Sequence, residues 1–130
     1  MTVACNTGFT ELAKLGVGEA ADVFKYVAVG KGTGQGATDT TLDSECTETG
    51  LTRVAGDTVQ TTKTTIDNDT IQLIETFTAT TTTTVTEAGA FNNATKDLGD
   101  MLMVGDLSPS APMVSSDTLK ITLNCQLKSV

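Results

Sequence analysis

The sequence predicts an all-β fold, a β-sandwich of about six or seven mostly antiparallel strands with one short N-terminal helix. Three observations carry that expectation. Threonine makes up roughly a fifth of the chain, well above ordinary usage. Its branched Cβ is stiff at χ1, which suits a pleated strand and weakens a helix. Clusters of Gly, Asp, Asn and Ser punctuate the apolar stretches at short intervals. Near the C-terminus, Leu119, Ile121, Leu123, Cys125 and Leu127 alternate with Lys120, Thr122, Asn124, Gln126 and Lys128, the period-two pattern of a strand with one face buried. A chain of 130 residues fits a single domain, 1–130, with residues 1–20 as an N-terminal arm and short helix. No fixed-period repeat points to a solenoid.

Taken in order, Phe9, Leu12, Ala13 and Leu15 recur at helical spacing, which predicts a helix over residues 7–15 stopped by Gly16. In residues 23–30, Phe24, Tyr26 and Ala28 alternate with Val23, Val27 and Val29, and only Lys25 is polar. A strand apolar on both faces belongs in the middle of a sheet. Residues 31–44, rich in Gly, Thr and Asp, predict a long exposed loop, and loops of that length in a compact domain usually carry function or motion. Residues 46–55 and 58–66 read as paired strands around Gly56 and Asp57. The second of these has no strongly apolar face and predicts an exposed edge ribbon. Asp67, Asn68 and Asp69 make a turn. Residues 71–85 read as one long strand, with Ile71, Leu73, Phe77 and Ala79 on one face and the threonine run 80–84 at its end. Residues 87–93 then predict an irregular loop, residues 97–100 a turn and residues 101–104 a short strand. Pro109 and Pro112 bracket a connector to the final strand.

Composition excludes several function classes. The formal net charge is −8 with only 8 Lys and Arg, so the chain repels phosphate backbones and no nucleic-acid partner is expected. Histidine and tryptophan are absent, which removes the commonest general base and the His-dependent nucleophilic triads. No catalytic residue, cofactor or metal is assigned. No apolar run approaches the ~20 residues of a membrane span, so no membrane partner is expected. The N-terminus lacks a basic leader and an apolar core, so it does not read as a secretory signal.

The motifs that suggest chemistry fall short on context. Lys31-Gly32-Thr33-Gly34-Gln35-Gly36 follows a strand, but a phosphate loop needs a Lys-Ser/Thr and a helix after it, and Ala37-Thr38-Asp39-Thr40-Thr41 supplies neither. Asp67-Asn68-Asp69 lacks the glycine and the distant bidentate Glu of a calcium loop. Glu11, Glu19, Asp39, Asp43, Glu45, Glu48, Glu75 and Glu87 show no paired arrangement for acid–base work. Asn68-Asp69-Thr70 and Asn93-Ala94-Thr95 match a glycosylation sequon, a match expected by chance in so Thr-rich a chain. A single run of threonines does not build the stacked array of a β-type ice binder. Cys5, Cys46 and Cys125 match no zinc or redox spacing. They are candidates for disulfide bonding, as one internal bridge with a thiol left over or as bridges between copies. Three reduced thiols, the usual state of a cytosolic product, are the first expectation, and the bridges are the alternative. Cys125, on the apolar face of the last strand, reads as buried.

A larger pattern lies in the order of several short motifs. After the N-terminal helix come Phe24-Lys25-Tyr26-Val27-Ala28-Val29-Gly30 and a Gly/Thr loop ending Asp39-Thr40-Thr41-Leu42. A Thr-rich strand leads into Thr86-Glu87-Ala88-Gly89-Ala90-Phe91-Asn92, then Gly99-Asp100-Met101-Leu102, then Asp117-Thr118-Leu119-Lys120-Ile121-Thr122-Leu123. From about Phe9 onward the chain resembles a group of small virion structural proteins of tailed bacteriophages. The resemblance implies a β-sandwich, assembled in the host cytoplasm and located in the virion. The cysteines lie outside it.

The expected function is that of a capsid decoration (cement) protein, a homo-oligomer that binds the major capsid protein or other virion proteins and stabilises the outer lattice by many modest contacts. A tail, neck or fibre component is the alternative. A host-surface adhesin or carbohydrate-binding module is a further one, although the single tyrosine falls in a strand expected to be core. The expected contacts are the N-terminal segment, the loop 31–44 and the edge ribbon 58–66, because the core explains none of them.

Overall fold

A computed structural model describes residues 2–61 and 65–128. In chain order the elements are β1 (Thr2–Ala4), α1 (Asn6–Val17), β2 (Tyr26–Gly30), β3 (Val54–Ala55), β4 (Asp57–Thr61), β5 (Thr70–Thr78), β6 (Thr83–Phe91), β7 (Met101–Met113) and β8 (Thr118–Gln126). They form two antiparallel sheets, one of five strands in the order β1-β7-β6-β2-β3 and one of three in the order β4-β5-β8. The fold is an all-β sandwich with one short helix. Among the described residues eight strands are present against about six or seven expected: β1, three residues long, is too short for a periodicity to reveal, and residues 71–85 divide between β5 and β6.

Between the sheets lies the main core. Val27 and Val29 of β2, Val85, Ala88 and Ala90 of β6, Leu73 and Phe77 of β5, and Ile121, Leu123 and Cys125 of β8 meet there. The five-stranded sheet also buries its other face. Ala28, Phe91, Met101 and Val104 on that side pack with Cys5 and Leu42, with Tyr26 at the margin. Strand β2 is therefore apolar on both faces and interior, as its composition predicts. The three-stranded sheet covers one face only, and the alternation expected for β8 holds, with Ile121, Leu123 and Cys125 in and Lys120 and Thr122 out.

The helix is longer than its sequence signal and turned differently. Gly16 sits inside the last turn, and the stop is Gly18, left-handed at φ 79°. The N–H groups of Gly18 and Glu19 close on the carbonyls of Leu15 and Lys14 at 3.3 and 2.9 Å. Gly8 and Glu11 are buried, whereas Phe9 is 51% exposed. Gly8 decides the orientation, because a Cβ there would lie 2.5 Å from the Leu102 Cα. The helix thus rests on β7 through its least bulky side. Ahead of it, Thr2, Val3 and Ala4 pair with Gly105, Val104 and Met103. The segment expected to extend as an arm is tied into the sheet.

Three further expectations change. Strands β3 and β4 are not a hairpin: β3 pairs with β2 and β4 with β5, so the chain changes sheets at Gly56, whose N–H donates to the Lys25 carbonyl at 2.9 Å. Residues 71–85 are two strands in different sheets. The break falls where Ala79 exchanges backbone hydrogen bonds with Asp117 and Ser116 at 2.9 and 2.8 Å. Residues 87–91, expected as loop, are the buried end of β6, because a strand covered on both faces by other layers takes small residues without alternation. The prolines expected in a connector lie inside β7. β1 covers β7 only at Met103–Gly105, so Pro109 and Pro112 sit where one side has no partner strand to lose a hydrogen bond. Of the ribbon 58–66, residues 62–64 lie outside the described residues, and β4 is an exposed edge.

Candidate functional site

The loop 31–44 is closed down by carboxylates of the chain itself. In β6, Glu87 projects from the outer face of the five-stranded sheet and is fully buried. Its Oε1 accepts the N–H groups of Gly32 and Ser44, both at 3.0 Å, and its Oε2 accepts the Asp43 N–H at 3.4 Å and the Gln35 side-chain amide. Two further glycines of the run donate to acids, Gly34 to Asp106 Oδ2 at 3.0 Å and Gly36 to Asp39 Oδ2 at 2.6 Å. Thr86 Oγ1 donates to the Gly32 carbonyl at 2.6 Å, and Leu42 inserts into the outer cluster. The alternating glycine N–H groups that a phosphate loop would use are taken by internal carboxylates. The loop's exposed residues include Thr33, Ala37, Thr38 and Thr40 along its length, with Lys31 and Asp43 near its two ends.

A second polar node holds the loops at 45–53 and 92–98. The only arginine of the chain, Arg53, forms a bidentate pair with Glu45, Nε to Oε1 at 3.0 Å and Nη2 to Oε2 at 2.7 Å. The two side chains are 2% and 3% exposed. Its Nη1 donates to the carbonyls of Asn93, Thr95 and Leu98, each at 3.0 Å, and its guanidinium lies 3.7 Å from the Phe91 ring centroid. The cation is thus held in its plane by a carboxylate and three carbonyls and on one face by a ring. A planar five-donor fork suits the task, and a lysine would not match it.

The cysteines are buried and unbonded. Cys46 and Cys125 belong to the main core and Cys5 to the outer cluster. Burial, reinforced by Asp39, pushes the Cys5 thiol up to about 11. Burial, reinforced by Glu48, does the same at Cys46, and burial raises Cys125. Thiols held protonated in this way are poor nucleophiles. Among the acids named from the sequence, Glu11 pairs with Lys14, and Glu48 with Lys31, each at 2.7 Å. The Lys31 hydrogen bond holds Glu48 below the usual carboxylate range. Asp69 is buried and accepts from Thr70 Oγ1 at 2.8 Å and Gln126 Nε2 at 2.7 Å. Asn93, in the second sequon, spends its Oδ1 on the Thr95 N–H at 2.9 Å.

Two open concavities flank these features. One, of about 330 Å³, is lined by Asp22, Lys25, Tyr26, Asn92 and Asn93. Tyr26 is half-buried at its wall, not enclosed in the core as expected. The other, of about 400 Å³, runs between α1 and the edge strand β4 and is lined mainly by Leu12, Leu15, Val23, Phe24, Val59 and Ile71. Among the described residues no helix is long and apolar enough to cross a membrane.

No protein-family model matches the chain, and no curated protein is significantly similar to it. The reading therefore rests on the residues. Sequence reasoning found the Gly-rich loop but not the acid that fills it, and it passed over Arg53. The one available signal was a lone arginine in a chain whose other cations are all lysine.

Proposed function

We propose that this is a virion structural protein of a tailed bacteriophage, acting as a capsid decoration protein that binds the outer lattice of major capsid protein and stabilises it. The observation that supports this reading is the way buried polar groups are spent. Glu87, Arg53 and Glu45 are engaged in holding surface loops to the sandwich, and the thiols are enclosed and protonated. A loop fixed before binding loses little conformational entropy on contact. Small rigid surfaces repeated over a lattice add up through effective concentration. The order of motifs resembling phage virion proteins points the same way. In this reading the contact surface is the outward side of the loop 31–44, and the N-terminal segment serves the fold.

Copy number tests the proposal. Quantitative mass spectrometry of purified particles should find the protein in fixed ratio to the major capsid protein, at hundreds of copies on lattice arithmetic. A few copies would place it in the tail, neck or fibre, and absence from particles would end the virion reading. One observation favours a different reading, an adhesin or carbohydrate-binding module. Tyr26 with Asp22, Asn92 and Asn93 offers a ring and polar groups around an open pocket. Saturable glycan binding that Tyr26→Ala abolishes would support that role.

A further inference from the structure

The strand edges of the sandwich are not treated alike. An unpaired edge invites another strand, and folded proteins blunt it with short strands, prolines or charges. β1 and β3 are three and two residues long. The uncovered half of β7 carries Asp106, Pro109 and Pro112. β8 carries the exposed Lys120 near its middle. Among the described residues β4 alone lacks these devices. Asp57, Thr58, Val59, Gln60 and Thr61 contain no proline and no lysine, and the one charge lies at the end. Val59 is 49% exposed at the centre of this edge, in a row that continues through the polar Gln72 and Asn124. Beside it opens the apolar groove under α1, and none of its lining residues is charged.

We infer that β4 is a self-association surface that pairs antiparallel with β4 of a second copy about a two-fold axis at Val59. The strand selects a strand as its occupant, because its free backbone groups need a ladder partner. Charge selects a second copy in this register. Two chains of net charge −8 repel over most of their surfaces, and this neutral patch is one where they can meet without opposing carboxylates. With Val59 opposite Val59, Thr58 faces Gln60 and Asp57 faces Thr61, so the only acid of the strand never meets its own copy. The pairing joins two three-stranded sheets into one of six and brings the two exposed valines together, as an isologous interface requires. It does not depend on the virion reading.

The test is a charge swap read by sedimentation or light scattering over a concentration series. The wild-type chain should move from monomer to dimer mass as concentration rises. Val59→Asp and Val59→Lys each place like charges face to face at the axis and should each stay monomeric where the wild type is dimeric. Their equimolar mixture should regain the dimer. Val59 projects from an exposed edge, so both variants should fold, and an unchanged far-UV circular dichroism spectrum checks this. A monomeric wild type at every concentration, a Val59→Asp chain that dimerises like the wild type, or a mixture that stays monomeric would each overturn the proposal. If the wild type is monomeric in solution and Val59→Asp loses particle binding, the edge belongs to a capsid subunit and self-pairing is wrong.

Discussion

The two sheets differ in what covers them, and that difference decides how the chain can be read. The three-stranded sheet faces the core on one side and solvent on the other, so β8 alternates and each residue's role follows from its position in the row. The five-stranded sheet has a layer on both sides, the core within and the segment around Cys5 with the loop 31–44 without. There alternation vanishes, and polar residues such as Glu87 become parts of the interior. Half-covered sheets write their structure into local sequence. Fully covered sheets depend on residues far along the chain.

The largest break in this contrast should come from the outer nodes. Arg53→Met leaves Glu45 buried without its partner and three carbonyls without a donor. Loss of one member of a buried pair costs about 3–5 kcal/mol, a large share of the ~5–15 kcal/mol that holds a domain together. Urea unfolding should show the midpoint falling accordingly, and a change under ~1 kcal/mol would mean that the node is not structural. Glu87→Ala comes next. It orphans the Gly32 and Ser44 N–H groups and should cost about 2–4 kcal/mol, since each buried unsatisfied donor costs about 1–3 kcal/mol. Its mark should be concentrated in the loop 31–44, visible as amide chemical-shift changes there and not in β8.

Smaller effects sharpen the comparison. Gly8→Ala forces α1 away from the Leu102 backbone and should lower stability by about 1–3 kcal/mol, with Cys5 becoming reactive to a thiol reagent. The thiols predict an alkaline limb. Cys5 and Cys46 sit at about 11 in the fold against 9.0 for the free thiol. The unfolded chain therefore ionises first. Their contribution is complete below about pH 9 and is lost as pH rises towards 11. Cys5→Ala should flatten the part of that limb that comes from the outer layer, read from urea midpoints at several pH values. On the open face of the three-stranded sheet, Lys120→Thr should change stability by no more than ~0.5 kcal/mol, and a larger loss would show that this face is not solvent-facing.

How much was legible follows from the same contrast. Strands β2 and β8 and the edge character of β4 were readable, because local periodicity and composition carry them. The helix was found, and Leu12 of its expected side does pack on the core, but Phe9 and Ala13 face outward, and the buried contact at Gly8 was missed because Gly8 packs by what it lacks. The donors that Glu87 accepts lie 43 to 55 residues away. The carbonyls held by Arg53 lie 40 to 45 residues away. Backbone carbonyls and amides carry no side-chain signature, so residue types do not reveal these distant backbone partners. The Gly-rich loop shows the point most clearly. Its form suggests an anion site, and the anions prove to be the chain's own.

The central claim is that this loop is held as part of the folded unit and so offers a ready-made contact surface. Amide hydrogen exchange at Gly32 and Ser44 tests it most directly. The account predicts that both amides exchange only through global unfolding, with the same free energy as Val29 in the middle of β2. Exchange at the rate of an open loop, with Val29 still protected, would contradict it.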